Sequence, residues 1–86
     1  MFNVVLHKQA FKFYKNCIES IKNNINEAIG ALSQNPYQNK HIKKLRGKLS
    51  DMYRYRKGDL RIIYEIHDDI KIVRIKVIEL RGNVYR

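Results

Sequence analysis

The 86-residue sequence has no tryptophan, one proline and one cysteine. It has only 8 acidic residues, compared with 18 lysines and arginines. A single cysteine, Cys17, cannot form an internal disulfide, which is typical of a protein in a reducing compartment. No stretch approaches the roughly 18 apolar residues of a transmembrane helix. The first residues also lack the long apolar region of a signal peptide. We therefore expect a cytoplasmic protein.

The shortage of acidic residues leaves a formal net charge of +10. Such a surplus on so short a chain favours a polyanionic partner, namely nucleic acid, an acidic protein or a membrane surface. A basic surface that serves only solubility is the alternative interpretation. Because 44% of the residues are hydrophobic, residues 1–86 are expected to fold as one small domain.

Hydrophobic periodicity divides the chain into a strand, a helical region and three further strands. Residues 2–7 are apolar and β-branched, which predicts a strand buried on both faces. Apolar residues then recur every three or four positions from Phe11 to Leu32, and Asn23-Asn24 is the expected bend or break between two helices. The predicted C-terminal strands are residues 52–57, 60–67 and 70–78. This β-α-α-β-β-β order predicts a two-layer α+β fold, in which a helix pair packs on one face of a small, mostly antiparallel sheet.

Two short turns are predicted to set the register of the three C-terminal strands. Gly58-Asp59 suits a two-residue hairpin with glycine at the first central position, which places Arg56 opposite Arg61. Asp68-Asp69, taken as a second two-residue turn, places Arg61 opposite Lys76. Together the two registers separate an apolar face from a basic face, because side chains alternate along a strand.

The two predicted faces differ sharply in composition. The apolar face, expected beneath the helices, holds Tyr53, Tyr55, Leu60, Ile62, Tyr64, Ile66, Val73, Ile75 and Val77. The other face, which we call the basic face, holds the cations Arg54, Arg56, Arg61, Arg74 and Lys76. In this register Glu65 is its only carboxylate.

The basic face requires an explanation, because like charges directly opposite each other destabilise a sheet. Two unit charges about 5 Å apart repel by roughly 3 kcal/mol at an effective dielectric constant of 20. Arginine carries a rigid donor fork that matches a phosphate group. A phosphodiester between Arg56 and Arg61 would turn the repulsion into attraction. We therefore predict a phosphate-binding face, with a merely solvated charged face as the alternative.

Other catalytic or metal-binding patterns are weak. His7, His41 and His67 do not have the spacing of metal ligands, and the sequence contains no glycine-rich phosphate loop and no nucleophile elbow. We expect neither a metal site nor a cofactor.

The segment "KKLRGKLSDMYRYRKGDLRIIYEIHDD", followed by a strand and "LRGNVYR", resembles the RelE/ParE superfamily of bacterial type II toxins. The similarity covers essentially the whole chain. It implies a toxin that is neutralised by a cognate antitoxin, in a complex that binds operator DNA through the antitoxin. RelE-like members cut mRNA in the ribosomal A site without a metal. The 2′-hydroxyl attacks the adjacent phosphate, which leaves a 2′,3′-cyclic phosphate and a free 5′-hydroxyl.

The resemblance also implies roles for individual residues. The implied catalytic residues are Arg54, Arg56, Arg61, Arg81 and Tyr85. With the basic face, it predicts RNA binding by Arg46, Lys48, Lys57, Arg74 and Lys76. Arginine keeps its proton above pH 12, so Tyr85 or a ribosomal group is left as the candidate general base.

Two other functions are compatible with the sequence. One is a ParE-like toxin that inhibits DNA gyrase and catalyses no reaction. The other is an inactive remnant that only binds an antitoxin. The full set of arginines together with Tyr85 favours the RelE-like ribonuclease over both.

Overall fold

Two helices and five strands make up the part of the chain that the computed structural model describes, residues 1–46 and 52–81. In chain order they are β1 (Asn3–Leu6), α1 (Lys8–Asn16), α2 (Glu19–Gln34), β2 (Ile42–Lys44), β3 (Met52–Lys57), β4 (Leu60–His67) and β5 (Ile72–Leu80). The strands form one sheet in the order β1-β5-β4-β3-β2, in which only β1 and β5 pair in parallel. The predicted α+β fold is confirmed, and β2 is an additional strand.

The core lies between the helices and one face of the sheet. From the helices it takes Ala10, Ile25, Ala28 and Leu32, and from the sheet Tyr55, Leu60, Ile62, Tyr64, Val73, Ile75 and Ile78. Tyr64 is fully buried in this core, and its hydroxyl donates a hydrogen bond to the carbonyl oxygen of Pro36 at 2.7 Å. Burial raises the pKa of Tyr64, because an ionised phenolate would lose its hydration there.

The break between the helices differs from the prediction. It falls at Cys17 and Ile18, whose backbones are extended with ψ angles of 164° and 162°. Asn23-Asn24 instead lies within α2, on its exposed side. An exposed asparagine costs a helix only a fraction of a kcal/mol, and burial of the apolar stripe of α2 outweighs that cost.

The first strand also differs from the prediction, because it is not buried on both faces. Val4 and Leu6 are half-buried and pack against the core, whereas Asn3 and Val5 are exposed. The described helices cover one face of the sheet, so the other side of β1 faces solvent. β1, which lies at one edge of the sheet, therefore packs against the core with one face only.

The β3–β4 hairpin has the predicted register. Gly58 has a φ of +58°, a left-handed conformation that glycine adopts without the steric cost of a Cβ atom. The turn places Arg56 opposite Arg61 and Tyr55 opposite Ile62. The residues of β3 and β4 were therefore assigned correctly to the basic face and the apolar face.

The β4–β5 register was predicted wrongly, first because the turn is longer. His67 pairs with Ile72, so the turn spans residues 68–71 and not only Asp68-Asp69. Lys71, with a φ of 55°, donates its backbone N–H to the Asp68 carbonyl at 3.3 Å and its Nζ to the Asp68 carboxylate at 3.1 Å. The longer turn moves the pairing of β5 against β4 by two residues. Because side chains alternate with a period of two, the β5 residues next to the turn stay on the faces predicted for them.

A β-bulge at Lys76 is the second reason. Ile63 pairs with Val77 while Tyr64 pairs with Ile75, so Lys76 is an extra residue in β5. Beyond it the alternation is reversed relative to the prediction. Ile78, fully buried, takes the core position predicted for Val77. The bulge allows both ends of β5 to place apolar side chains in the core.

Candidate phosphate-binding face

The sheet surface opposite the helices brings together cations from adjacent strands. Arg56 on β3 lies directly opposite Arg61 on β4, and Arg54 lies opposite Ile63 in the next row of cross-strand neighbours. Lys43 on β2 lies opposite Arg54 and is exposed. Lys43 was not among the predicted binding residues, because the short strand β2 was not predicted.

Arg61 is paired with a carboxylate that was not expected on this surface. Glu79, not Lys76, lies directly opposite it on β5. The Nε and Nη2 atoms of Arg61 both donate to Oε2 of Glu79, with an Nε–Oε2 distance of 2.6 Å. The two side chains are 42% and 39% exposed. The repulsion between Arg56 and Arg61 is therefore offset at a position that a ligand can reach.

Glu65 forms a second, separate cluster on the same surface. It lies opposite Arg74, and its Oε1 atom is 3.8 Å from Arg74 Nε and 3.0 Å from His67 Nε2. The hydrogen bond from His67, followed by the charges of Lys76 and Arg74, holds the pKa of Glu65 below its usual range. The charge of Lys76 therefore lowers the pKa of Glu65, and Lys76 does not lie opposite Arg61.

Two guanidinium groups carry buried donors without acceptors. The Nε atoms of Arg54 and Arg74 are buried and have no hydrogen-bond partner among residues 1–46 and 52–81. A buried donor without a partner costs about 1–3 kcal/mol.

Lys57 does not join the basic face. Alternation along β3 places it on the same side of the sheet as Tyr55, which is buried beneath the helices. Its Nζ forms an ion pair with Glu27 of α2. That hydrogen bond, reinforced by the charge of Lys57, lowers the pKa of Glu27.

The other predicted residues lie at the ends of strands or outside the described part. Arg46 is exposed just after β2. Arg81 follows β5, and its backbone N–H donates to the Asp59 carbonyl at 2.8 Å, so it lies at the same end of the sheet as Glu79. Lys48 and Tyr85 fall outside the described residues.

A groove of about 870 Å³ lies between α1, the start of α2 and the C-terminal part of β5. Its apolar lining comes from Phe13, Cys17, Ile18, Ile21, Ile78 and Leu80. The side-chain amide of Gln9 accepts from the Ile78 backbone N–H at 3.1 Å and donates to the Ile78 carbonyl at 3.3 Å. Gln9, which also lines the groove, thus links α1 to β5.

Within the described residues, no helix is long and apolar enough to cross a membrane. In the same ranges, no three His, Cys, Asp or Glu side chains are grouped so as to hold a metal ion.

Comparison with known proteins connects this architecture to a family. The family described as the ParE toxin of the type II toxin–antitoxin system parDE matches residues 4–82. The chain belongs to the RelE/ParE superfamily of type II toxins. The toxin is also 33% identical to the RelE1 protein of Methanocaldococcus jannaschii, over 99% of this chain and 96% of that protein.

Two solved structures resemble the toxin over most of its length. One is the RelBE2 toxin–antitoxin complex of Mycobacterium tuberculosis, with a TM-score of 0.81, 27% identity, and coverage of 93% of this chain and 98% of the matched chain. The other is the archaeal RelE–RelB complex of Pyrococcus horikoshii, with a TM-score of 0.77, 29% identity, and coverage of 96% and 98%. The predicted family is therefore confirmed.

Proposed function

We propose that this toxin is an mRNA endoribonuclease that acts in the ribosomal A site. The observation that carries the proposal is the direct opposition of Arg56 and Arg61, with Arg54 in the next row of the same face. A phosphodiester at this place would accept hydrogen bonds from two strands. It would also add negative charge beside Arg56 and Arg61, whose mutual repulsion the Glu79 carboxylate already offsets on the Arg61 side.

The proposed reaction is attack of a ribose 2′-hydroxyl on the adjacent phosphate. The products are a 2′,3′-cyclic phosphate and a free 5′-hydroxyl, and the reaction uses no metal and no cofactor. Arg54, Arg56, Arg61 and Arg81 would hold the phosphate and stabilise the negative charge that it gains in the transition state. Arg46, Lys43, Arg74 and Lys76 would bind the flanking RNA backbone.

A cognate antitoxin is the second proposed partner. The family is one of type II toxins, and both similar solved structures are toxin–antitoxin complexes. A net charge of +10 and an open apolar groove suit a partner that combines acidic residues with apolar ones. Adding the antitoxin should raise the melting temperature of the toxin and stop its activity. The complex would bind operator DNA through the antitoxin.

A ParE-like inhibitor of DNA gyrase is a second candidate, because the matching family model is that of ParE. Two assays distinguish the candidates. Purified toxin is added to a translating extract and, separately, to a gyrase supercoiling reaction. mRNA fragments with cyclic phosphate ends support the ribonuclease, whereas loss of supercoiling with intact mRNA supports the gyrase inhibitor.

Arg61→Ala tests the arginine pair within the ribonuclease proposal. Removal of one preorganised donor typically costs about 10²- to 10³-fold in rate, so cleavage and toxicity in cells should be lost while the fold persists. Lys22→Ala is the matched control, because it also removes one positive charge, from helix α2 on the other layer. Cleavage at the wild-type rate by Arg61→Ala would contradict the proposed role.

A further inference from the structure

The proposed ribonuclease needs a proton acceptor that its arginines cannot provide. A guanidinium stays protonated above pH 12, so it cannot take the proton of a 2′-hydroxyl. Glu79 is a carboxylate in the same row of cross-strand neighbours as Arg56 and Arg61. Its side chain is 39% exposed, so RNA can reach it.

The geometry of the ion pair leaves both partners with a free edge. The Nε and Nη2 atoms of Arg61 donate to the same oxygen of Glu79, Oε2. Within the described ranges, Glu79 Oε1 accepts no hydrogen bond, and Arg61 Nη1 donates none. A guanidinium has five N–H donors in a planar fork. Arg61 can therefore hold Glu79 on one edge and a phosphate on the adjacent edge.

We propose that Glu79, in place of Tyr85 or a ribosomal group, is the general base of the cleavage reaction; this inference rests on the endoribonuclease function proposed above. Oε1 of Glu79 takes the proton of the 2′-hydroxyl, and the 2′ oxygen forms a bond to phosphorus. The bond from phosphorus to the 5′ oxygen breaks, and the 5′ oxygen takes a proton from water. Glu79 then releases its proton to water, which restores the carboxylate.

Glu65 provides a matched comparison on the same surface. It is also a carboxylate beside an arginine, but its Oε1 atom already interacts with His67 Nε2 at 3.0 Å. It lies opposite Arg74 and not Arg61. Glu65→Gln therefore makes the same chemical change as Glu79→Gln, away from the Arg56–Arg61 row.

The experiment uses purified toxin with ribosomes that carry mRNA in the A site. Single-turnover cleavage is measured for wild type, Glu79→Gln, Glu79→Asp and Glu65→Gln. Affinity is measured separately with mRNA in which hydrogen replaces the attacking 2′-hydroxyl, so that binding is seen without cleavage. The melting temperature of each variant verifies that it is folded.

If Glu79 is the general base, its replacement should lower the cleavage rate without weakening the affinity for RNA. Glu79→Gln should cleave about 10²- to 10⁴-fold more slowly, while its affinity stays equal or tightens because a negative charge near the phosphate is removed. Glu79→Asp should recover part of the rate, and Glu65→Gln should cleave like wild type.

Three results would overturn the assignment. If Glu79→Gln cleaves as fast as wild type or faster, Glu79 only restrains Arg61. If its rate and affinity fall by the same factor, Glu79 only holds Arg61 in place for binding. If wild type itself cuts no mRNA, the ribonuclease function fails and the role of Glu79 fails with it.

Discussion

Substitutions at Val77 and Ile78 test the β-bulge in β5, because strict alternation and the observed register place different members of this pair in the core. Strict alternation from Val73 and Ile75 places Val77 in the core. In the structure Ile78 is fully buried, whereas Val77 is half-buried on the opposite face. The variants Ile78→Ala and Val77→Ala should therefore differ strongly in stability.

The expected magnitudes follow from burial. Truncation of a buried isoleucine to alanine typically costs about 2–5 kcal/mol, through lost burial and the cavity left behind. A domain of this length has a total stability of about 4–13 kcal/mol, at about 0.05–0.15 kcal/mol per residue. A loss near 3 kcal/mol would lower the melting temperature by about 12–24 °C, at about 4–8 °C per kcal/mol. Val77→Ala should cost about 1 kcal/mol or less.

Thermal unfolding followed by far-UV circular dichroism measures both variants against wild type. Each variant should keep the wild-type spectrum at low temperature, so that the comparison concerns stability and not refolding into another structure. If Val77→Ala destabilises the toxin as much as Ile78→Ala or more, the bulge at Lys76 is wrong. Glu79 would then not face Arg61.

Two further predictions concern RNA binding and acid stability. With about five phosphate contacts, the logarithm of the affinity for single-stranded RNA should fall with the logarithm of salt concentration at a slope of about −3 to −4, and a flat response would refute electrostatic binding. Arg74→Ala and Lys76→Ala should weaken this affinity more than they slow cleavage. The pKa of Glu65 is lower in the folded toxin than in the unfolded chain. Ionised Glu65 therefore stabilises the fold above the unfolded-state pKa of about 4.3, and this stabilisation is lost as the pH falls further. The melting temperature of wild type should therefore fall more steeply from pH 5 to pH 3 than that of Glu65→Gln, and parallel curves would contradict this.

The part of the fold that the sequence predicted well is the part with an unambiguous turn. Glycine is the residue that adopts a φ near +58° at no steric cost, so Gly58 fixed the β3–β4 register and the position of Arg56 opposite Arg61. The turn at residues 68–71 has no glycine, and its left-handed residue is Lys71. A lysine gives no sequence signal for that conformation, so the turn was predicted too short.

The missed and misplaced site residues have two different causes. Glu79 was missed because a bulge shifts alternation by one residue, and Ile75-Lys76-Val77-Ile78 is compatible with either phase. Lys57 was placed with the RNA-binding residues although the alternation of β3 already puts it on the side of Tyr55. That position was predictable, and the basic composition of the segment obscured it.

The link between Gln9 and Ile78 has a consequence for self-association. Strand edges with unpaired backbone groups template pairing between molecules, and proteins protect them with short edge strands, lysines or covering side chains. Here β1 has four residues and β2 has three, two of them lysines. β5 continues past the end of β1, and there the amide of Gln9 takes both backbone groups of Ile78 that a neighbouring strand would pair with. A second chain that paired with this stretch of β5 would first have to displace the Gln9 amide from Ile78.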